Sequence, residues 1–251
     1  MAPRDILHQI SGDLRLAIGL LTRLPLPGQP DMARGAASAW AWPLAGLAPA
    51  LLAGLAIWLS AGFGAGLSAA LALAVMAMAT GAMHEDGLAD TADGLWGGWT
   101  AERRLEIMKD SHIGTYGVLA LILSVLARWS LLSGLIAADH ALPVLLAAAM
   151  LSRVPMVALM AWMPPARDGG LSRAVGQPPL QAAAIGGAVA LTLALILTGV
   201  AALWAALLVV AVAFALGMLA KAKIGGQTGD ILGASQQLSE ITALAVLAAS
   251  L

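Results

Sequence analysis

Apolar residues run through this chain in long blocks rather than alternating with polar ones. The blocks fall at roughly 36–60, 65–83, 115–137, 141–163, 182–199 and 201–220, with a shorter one at about 239–251. About 20 helical residues cross a hydrocarbon core at 1.5 Å per residue, so the first six predict transmembrane helices. The seventh spans only if it takes in the polar turn from Leu232 to Glu240 as its inner half. Residues 3–24 carry another pattern. Leu7, Ile10, Leu14, Ile18 and Leu21 recur at spacings of three and four, with Arg4, Asp5, His8, Ser11 and Arg15 between them. That predicts an amphipathic helix, either lying on the membrane surface or packing against the bundle. The stretch LPLPGQ at 24–29 ends it, because proline cannot sit in a helix interior. The expected fold is all-α: one integral membrane domain over 1–251, with six to seven transmembrane helices and an amphipathic interfacial arm at 1–30.

Composition agrees with this pattern. Hydrophobic residues make up 60% of the 251 and charged residues 11%, against about 25% charged in a soluble domain. A formal net charge of -1 gives no global attraction for nucleic acid. The chain has no cysteine, which excludes disulfides, iron–sulfur clusters and thiolate zinc sites. Asp5, Asp13 and Arg15 interrupt any signal-peptide core near the N-terminus.

Charge placement orients the bundle. Of 13 Lys and Arg residues, all but Arg128 and Arg153 lie ahead of the first apolar block or in the segments 84–114, 164–181 and 220–238. The opposite loops near 61–64, 138–141 and 200 carry none. With a cytoplasmic N-terminus this is the positive-inside pattern around the whole chain. It makes 84–114 and 220–240 the expected cytoplasmic catalytic loops. No internal repeat supports an inverted-repeat transporter.

The candidate chemistry begins at HEDGLADTADG, residues 84–94. Asp86, Asp90 and Asp93 at i, i+4 and i+7 share one helical face, with Glu85 about a quarter turn away. An oxygen-only cluster without a basic neighbour suits a hard cation such as magnesium, usually held together with substrate phosphates. A solvated acidic loop is the plain alternative, although Gly87, Gly94, Gly97 and Gly98 are expected to clear space around the acids. His-Glu-x-x-His is excluded, since Leu88 stands where the second histidine belongs. Downstream, Thr100 can cap a short helix on which Leu105 and Met108 pack. Lys109 or Arg103 can meet a phosphate, and Asp110 can bind metal or act as a base; a salt-bridged surface turn explains them equally well.

A second polar island, KAKIGGQTGDILGASQQLSE, covers 221–240. Gly225, Gly226 and Gly229 allow close backbone approach, and the N–H groups around Gln227 and Thr228 can cradle phosphate. Thr228 and Asp230 add oxygen ligands. This is no Walker A loop, which needs Gly-Lys-Ser/Thr. Arg128 and Arg153 lie inside spans, where a charge needs an anionic partner: a protein carboxylate or a substrate phosphate. Together these features suit metal-assisted transfer of a phosphate-linked group. Another magnesium-dependent membrane phosphotransferase of the CDP-alcohol type is the alternative, with a transporter behind it.

The blocks 84–94, 102–117 and 225–233, with Gln236, Gln237, Glu240 and LLTRLPLP at 20–27, resemble the cobalamin synthase family over nearly the whole chain. His112 stands where that pattern leads us to expect arginine. The resemblance implies transfer of cobinamide phosphate from adenosylcobinamide-GDP to a ribose hydroxyl of α-ribazole or its 5′-phosphate. GMP is released, with magnesium, at the bacterial cytoplasmic (inner) membrane and an active site facing the cytoplasm. It further implies that Asp86, Asp90 and Asp93, with Glu85, hold magnesium, and that Asp230 is a ligand or the base. Lys109, Arg153, Arg128 and the 225–229 backbone then position the diphosphate. Expected partners are the two substrates, the lipid bilayer and, as an open option, a second copy of the chain.

Overall fold

The structure, a computed structural model, describes residues 3–27 and 32–251. The outer ends of the expected arm, the last two positions of LPLPGQ and the side chain of Arg4 lie outside the described residues.

The amphipathic pattern forms helix α1 (Pro3–Leu21). Its first half leaves Ile6, Leu7 and Ile10 exposed, whereas Leu16, Ala17 and Leu21 are buried. The second half thus packs against the bundle, and the first half leaves its apolar face uncovered. A 3₁₀ segment, Met32–Ala41, leads into α2 (Trp42–Ala45) and α3 (Leu47–Leu59), which together form the first span. Asp13, buried in α1, accepts from Trp40 Nε1 at 2.8 Å and pairs with Arg34, fastening the arm to this span.

Helix α4 (Ala65–Thr80) ends on left-handed Gly81 and Ala82, and α5 (Met83–Gly97) leaves at 88° to it. The expected 65–83 span thus stops at Thr80. Segment 84–114, expected as a loop, is mostly helical: α5, then α6 (Ala101–Ile107) with Thr100 as its cap. Next come α7 (Thr115–Ala137), α8 (Ala141–Leu151) and α9 (Val154–Trp162). The last two form one span broken at Ser152 and Arg153, just ahead of Pro155.

A short α10 (Leu171–Val175) precedes the spans α11 (Leu180–Thr198) and α12 (Ala201–Ile224). Finally α13 (Gly229–Ala248) absorbs the polar stretch, as a seventh span required. The expected 220–240 loop shrinks to a turn at 225–228. Among the described residues, six helices are long and apolar enough to cross a membrane, or seven when α4 and α5 count as one bent span. The chain is a multi-pass, all-α membrane protein.

The interior is built from small residues. Ala50, Ala53, Ala147, Ala148, Ala190, Ala194, Ala202 and Ala205 are fully buried. Such residues let helix backbones approach closely where lipid gives no hydrophobic drive for association. Helix α13 sits among α5, α7, α8, α9 and α12. That position explains how a span can carry buried Ser235, Gln236, Gln237, Ser239 and Glu240: they face protein, not lipid.

Candidate active site

Two glycines bring the polar islands together. A Cβ on Gly87 would stand 2.9 Å from the carbonyl oxygen of Asp230 and 3.1 Å from Cα of Gly233. One on Gly233 would stand 3.2 Å from Cα of Gly87. Helices α5 and α13 therefore cross backbone on backbone. The crossing sets Asp86 and Asp90 of one helix beside Asp230, in the first turn of the other. Asp90 lies within electrostatic reach of Asp86, Asp230 and Asp93, and of Arg167.

The chain also fixes Asp230 from outside the helix. The turn before α13 pairs with the segment after α9: Gln227 N–H donates to the Pro164 carbonyl (2.9 Å) and Ala166 N–H to the Gln227 carbonyl (2.8 Å). Gly226 permits this contact, since a Cβ there would stand 2.3 Å from the Pro164 oxygen. The pairing presents Arg167 to Asp230, Nη2 to Oδ2 at 3.2 Å. Thr228 donates its hydroxyl to Asp230 (3.1 Å) and accepts from Ile231 N–H, capping α13. The positive end of that helix dipole points at the same place.

Asp86 borders two cavities. One, of about 160 Å³, is lined by His84, Asp86, Arg167, Ser172, Gly229 and Asp230 among apolar residues from α1, α2 and α9. A Cβ on Gly229 would meet nothing within 4 Å. The other, of about 510 Å³, is lined by Glu85, Asp86, Asp90, Lys109, Asp110 and His112. Arg167 Nη1 and His84 Nε2 are buried without hydrogen-bond partners. An unpaired buried guanidinium donor is costly, and a substrate anion would satisfy it.

Several expected site residues have other partners. Asp93 shares the helical face of Asp86 and Asp90, yet Oδ2 accepts from Gly114 N–H (2.7 Å) and Oδ1 from Gly117 N–H (2.9 Å). It caps α7, and Gly114 and Gly117 leave room for it. Asp93→Ala should therefore cost about 2 kcal/mol of stability in a thermal melt. Unchanged stability would contradict the capping role.

Glu85 turns inward, accepting from Arg128 (3.2 Å) and Gln237 (3.3 Å). Arg128 also reaches Glu240 (3.4 Å), whose other oxygen accepts from Gln236 (2.6 Å). Arg153 donates to the Ala149 carbonyl (2.8 Å) and feels the charges of Glu240 and Glu85. Both intramembrane arginines thus belong to an internal charge network and line neither cavity. Of the two partners left open, the protein carboxylate is the one present. Gly94 and Gly98 admit Met108 and Arg104 of the α6 segment, so their space serves helix packing. Gly225, at φ +77°, is the left-handed C-cap of α12.

Lys109 and Asp110 are exposed at the larger cavity. Asp110 accepts from His112 at 2.7 Å, and this bond holds its carboxyl below the usual range and raises the imidazole. A carboxylate held in that way is a weak proton acceptor. Arg167 had no signal in sequence beyond its place in a charged loop; only the pairing at Gln227 puts it in the site. His84 was legible as part of the motif, not as a cavity wall.

Among the described residues, no three His, Cys, Asp or Glu side chains stand close enough to hold an ion by themselves. Asp86, Asp90 and Asp230 nevertheless form a hard-oxygen set with the chemistry magnesium takes when substrate phosphates complete its shell.

A cobalamin-5-phosphate synthase family model matches residues 13–248. An adenosylcobinamide-GDP ribazoletransferase of Bradyrhizobium diazoefficiens is 46% identical, over 98% of this chain and 96% of that protein. A protein of the same name from Mesorhizobium japonicum is 45% identical, over 100% and 96%. One from Brucella ovis is 42% identical, over 93% and 95%. No solved structure matches the chain.

Proposed function

Because the chain belongs to the cobalamin-5-phosphate synthase family, we infer that it joins adenosylcobinamide-GDP to α-ribazole or its 5′-phosphate, releasing GMP. The observation that carries the reading to particular residues is the α5–α13 crossing, which gathers Asp86, Asp90, Asp230 and Arg167 beside two cavities. Two cavities meeting at one carboxylate suit a reaction with two substrates.

In the reaction, the acceptor hydroxyl oxygen attacks the phosphorus attached to cobinamide. A new P–O bond forms, and the bond to the bridging oxygen breaks, so GMP leaves with that oxygen. Asp86, Asp90 and Asp230 would hold magnesium, which supplies charge neutralisation for the diphosphate and the leaving phosphate. Arg167 offers its unpaired Nη1–H to a diphosphate oxygen, and the N-terminus of α13 favours the same negative charge. Lys109 adds an exposed positive charge at the larger cavity. The hydroxyl proton passes to a carboxylate of the cluster, Asp86 or Asp90, neither of which is tied into the buried network. Glu85 and Asp93 position α5 through α13 and α7.

Purified protein given both substrates should form the joined corrinoid and GMP in equal amounts, with magnesium required. Absence of both products under conditions where the protein is folded would refute the assignment.

We place these cavities on the cytoplasmic side of the inner membrane, because the Lys and Arg residues outside spans gather with them. In this cysteine-free chain, Gly62→Cys should react with an impermeant thiol reagent added to intact cells. Glu102→Cys and Gly169→Cys, on exposed segments at the other face, should be protected. Labelling of either from outside would reverse the orientation.

A further inference from the structure

Met160 and Ser172 line both the Asp86–Asp230 cavity and a neighbouring one of about 180 Å³. The remaining walls of the second are Pro165, Arg173, Gly176, Gln177 and Gln227. Gln227 is only 3% exposed, yet its Oε1 is buried without a hydrogen-bond partner. Native interiors rarely leave such an acceptor unpaired, and one that persists at a cavity wall calls for an explanation. Its backbone is clamped on both sides by Pro164 and Ala166, so the root of the side chain is held at the cavity wall. Gln177 spends its Nε2 on the Ala161 carbonyl (2.9 Å), which leaves Gln227 as the free amide of the cavity.

We propose that this cavity takes the guanine base of the donor nucleotide, with Gln227 pairing to its edge. The proposal presupposes the transferase activity above and extends it to a subsite. Guanine carries N1–H beside O6, so one amide can accept from the first and donate to the second. The guanidinium of Arg173 adds donors for O6 and N7, the pairing that arginine commonly makes with guanine. Adenine would turn its amino donor toward those donors. The glycosylated benzimidazole of the acceptor has no N–H at all and cannot satisfy Oε1. A corrin ring is excluded by size, since pockets for ordinary small molecules already run from about 300 Å³ upward. Gln227 also lies three residues before Asp230, a stretch of chain at most about 10 Å long. A bound nucleotide can therefore reach from the amide to the carboxylates.

The test uses the full chain in proteoliposomes, with GMP and AMP as inhibitors against the donor and with direct binding of both nucleotides. GMP should compete with the donor and bind at least tenfold tighter than AMP. Gln227→Ala should raise the donor KM about tenfold, leave the acceptor KM unchanged and shrink the GMP preference to about twofold. Gln227→Glu, whose carboxylate can accept from N1–H and the amino group together, should keep the preference for GMP over AMP. Equal binding of GMP and AMP by the unaltered protein would overturn the subsite. So would Gln227→Ala with an intact preference and an unchanged donor KM. Failure of the transferase reading is distinct: it shows as no corrinoid product, while nucleotide binding still reports on the cavity.

Discussion

Asp86→Asn, Asp90→Asn and Asp230→Asn should each fold normally and lose about three orders of magnitude in turnover, equivalent to about 4 kcal/mol of transition-state stabilisation. Asparagine keeps the size and hydrogen-bonding capacity of the side chain and removes only the charge. Asp86 is exposed and Asp90 half-buried, and among the described residues neither side chain makes a hydrogen bond or ion pair that joins helices. Asp230 differs, because its loss also frees Arg167. Asp230→Asn should therefore raise the donor KM as well as lower kcat. Glu102, exposed on α6 and outside the cluster, should tolerate Gln with activity near normal. Steady-state rates with both substrates check all four, and near-normal turnover in the three Asn variants would leave the carboxylates as a solvated surface.

Gly87→Ala tests the crossing itself. In a helix interior, replacing glycine by alanine ordinarily stabilises by about 0.5–1 kcal/mol. Here the added Cβ would press on the Asp230 backbone at 2.9 Å, and overpacking of that kind costs about 1–3 kcal/mol. The cost outweighs the gain, so the variant should be less stable. It should also be at least tenfold less active, because α5 and α13 must separate and carry Asp86 and Asp230 apart. Gly134→Ala, on α7 with open space around its Cβ, should instead be neutral or stabilising. A Gly87→Ala protein as stable and active as the unaltered one would mean that the crossing tolerates separation.

How much could be read from sequence follows from which forces act locally. The spans were legible because an apolar run of about 20 residues has no other low-energy place. Helix α13 was legible only conditionally, since Gln236, Gln237 and Glu240 look like loop residues until Glu85 and Arg128 arrive from other helices to pair with them. Periodicity correctly put Asp86, Asp90 and Asp93 on one face of a helix. It could not tell that the far end of that face meets the first turn of α7, which converts Asp93 from a ligand candidate into a cap. The glycines of the motif drew the eye for space near a cation, but Gly87 and Gly94 are there for neighbouring helices. Arg167 was invisible because its role depends on a pairing with Gln227 sixty residues along the chain.

The central claim is that the two islands form one magnesium–diphosphate centre. A double-mutant cycle on Asp90→Ala and Asp230→Ala, with turnover followed across a magnesium titration, tests it most directly. Groups that act as one unit are strongly non-additive, whereas sites more than about 7–10 Å apart with no shared partner add. The double variant should lose clearly less than the sum of the two single losses, and Asp230→Ala alone should shift magnesium activation to higher concentration. Additive losses, with an unchanged magnesium dependence for Asp230→Ala, would contradict it.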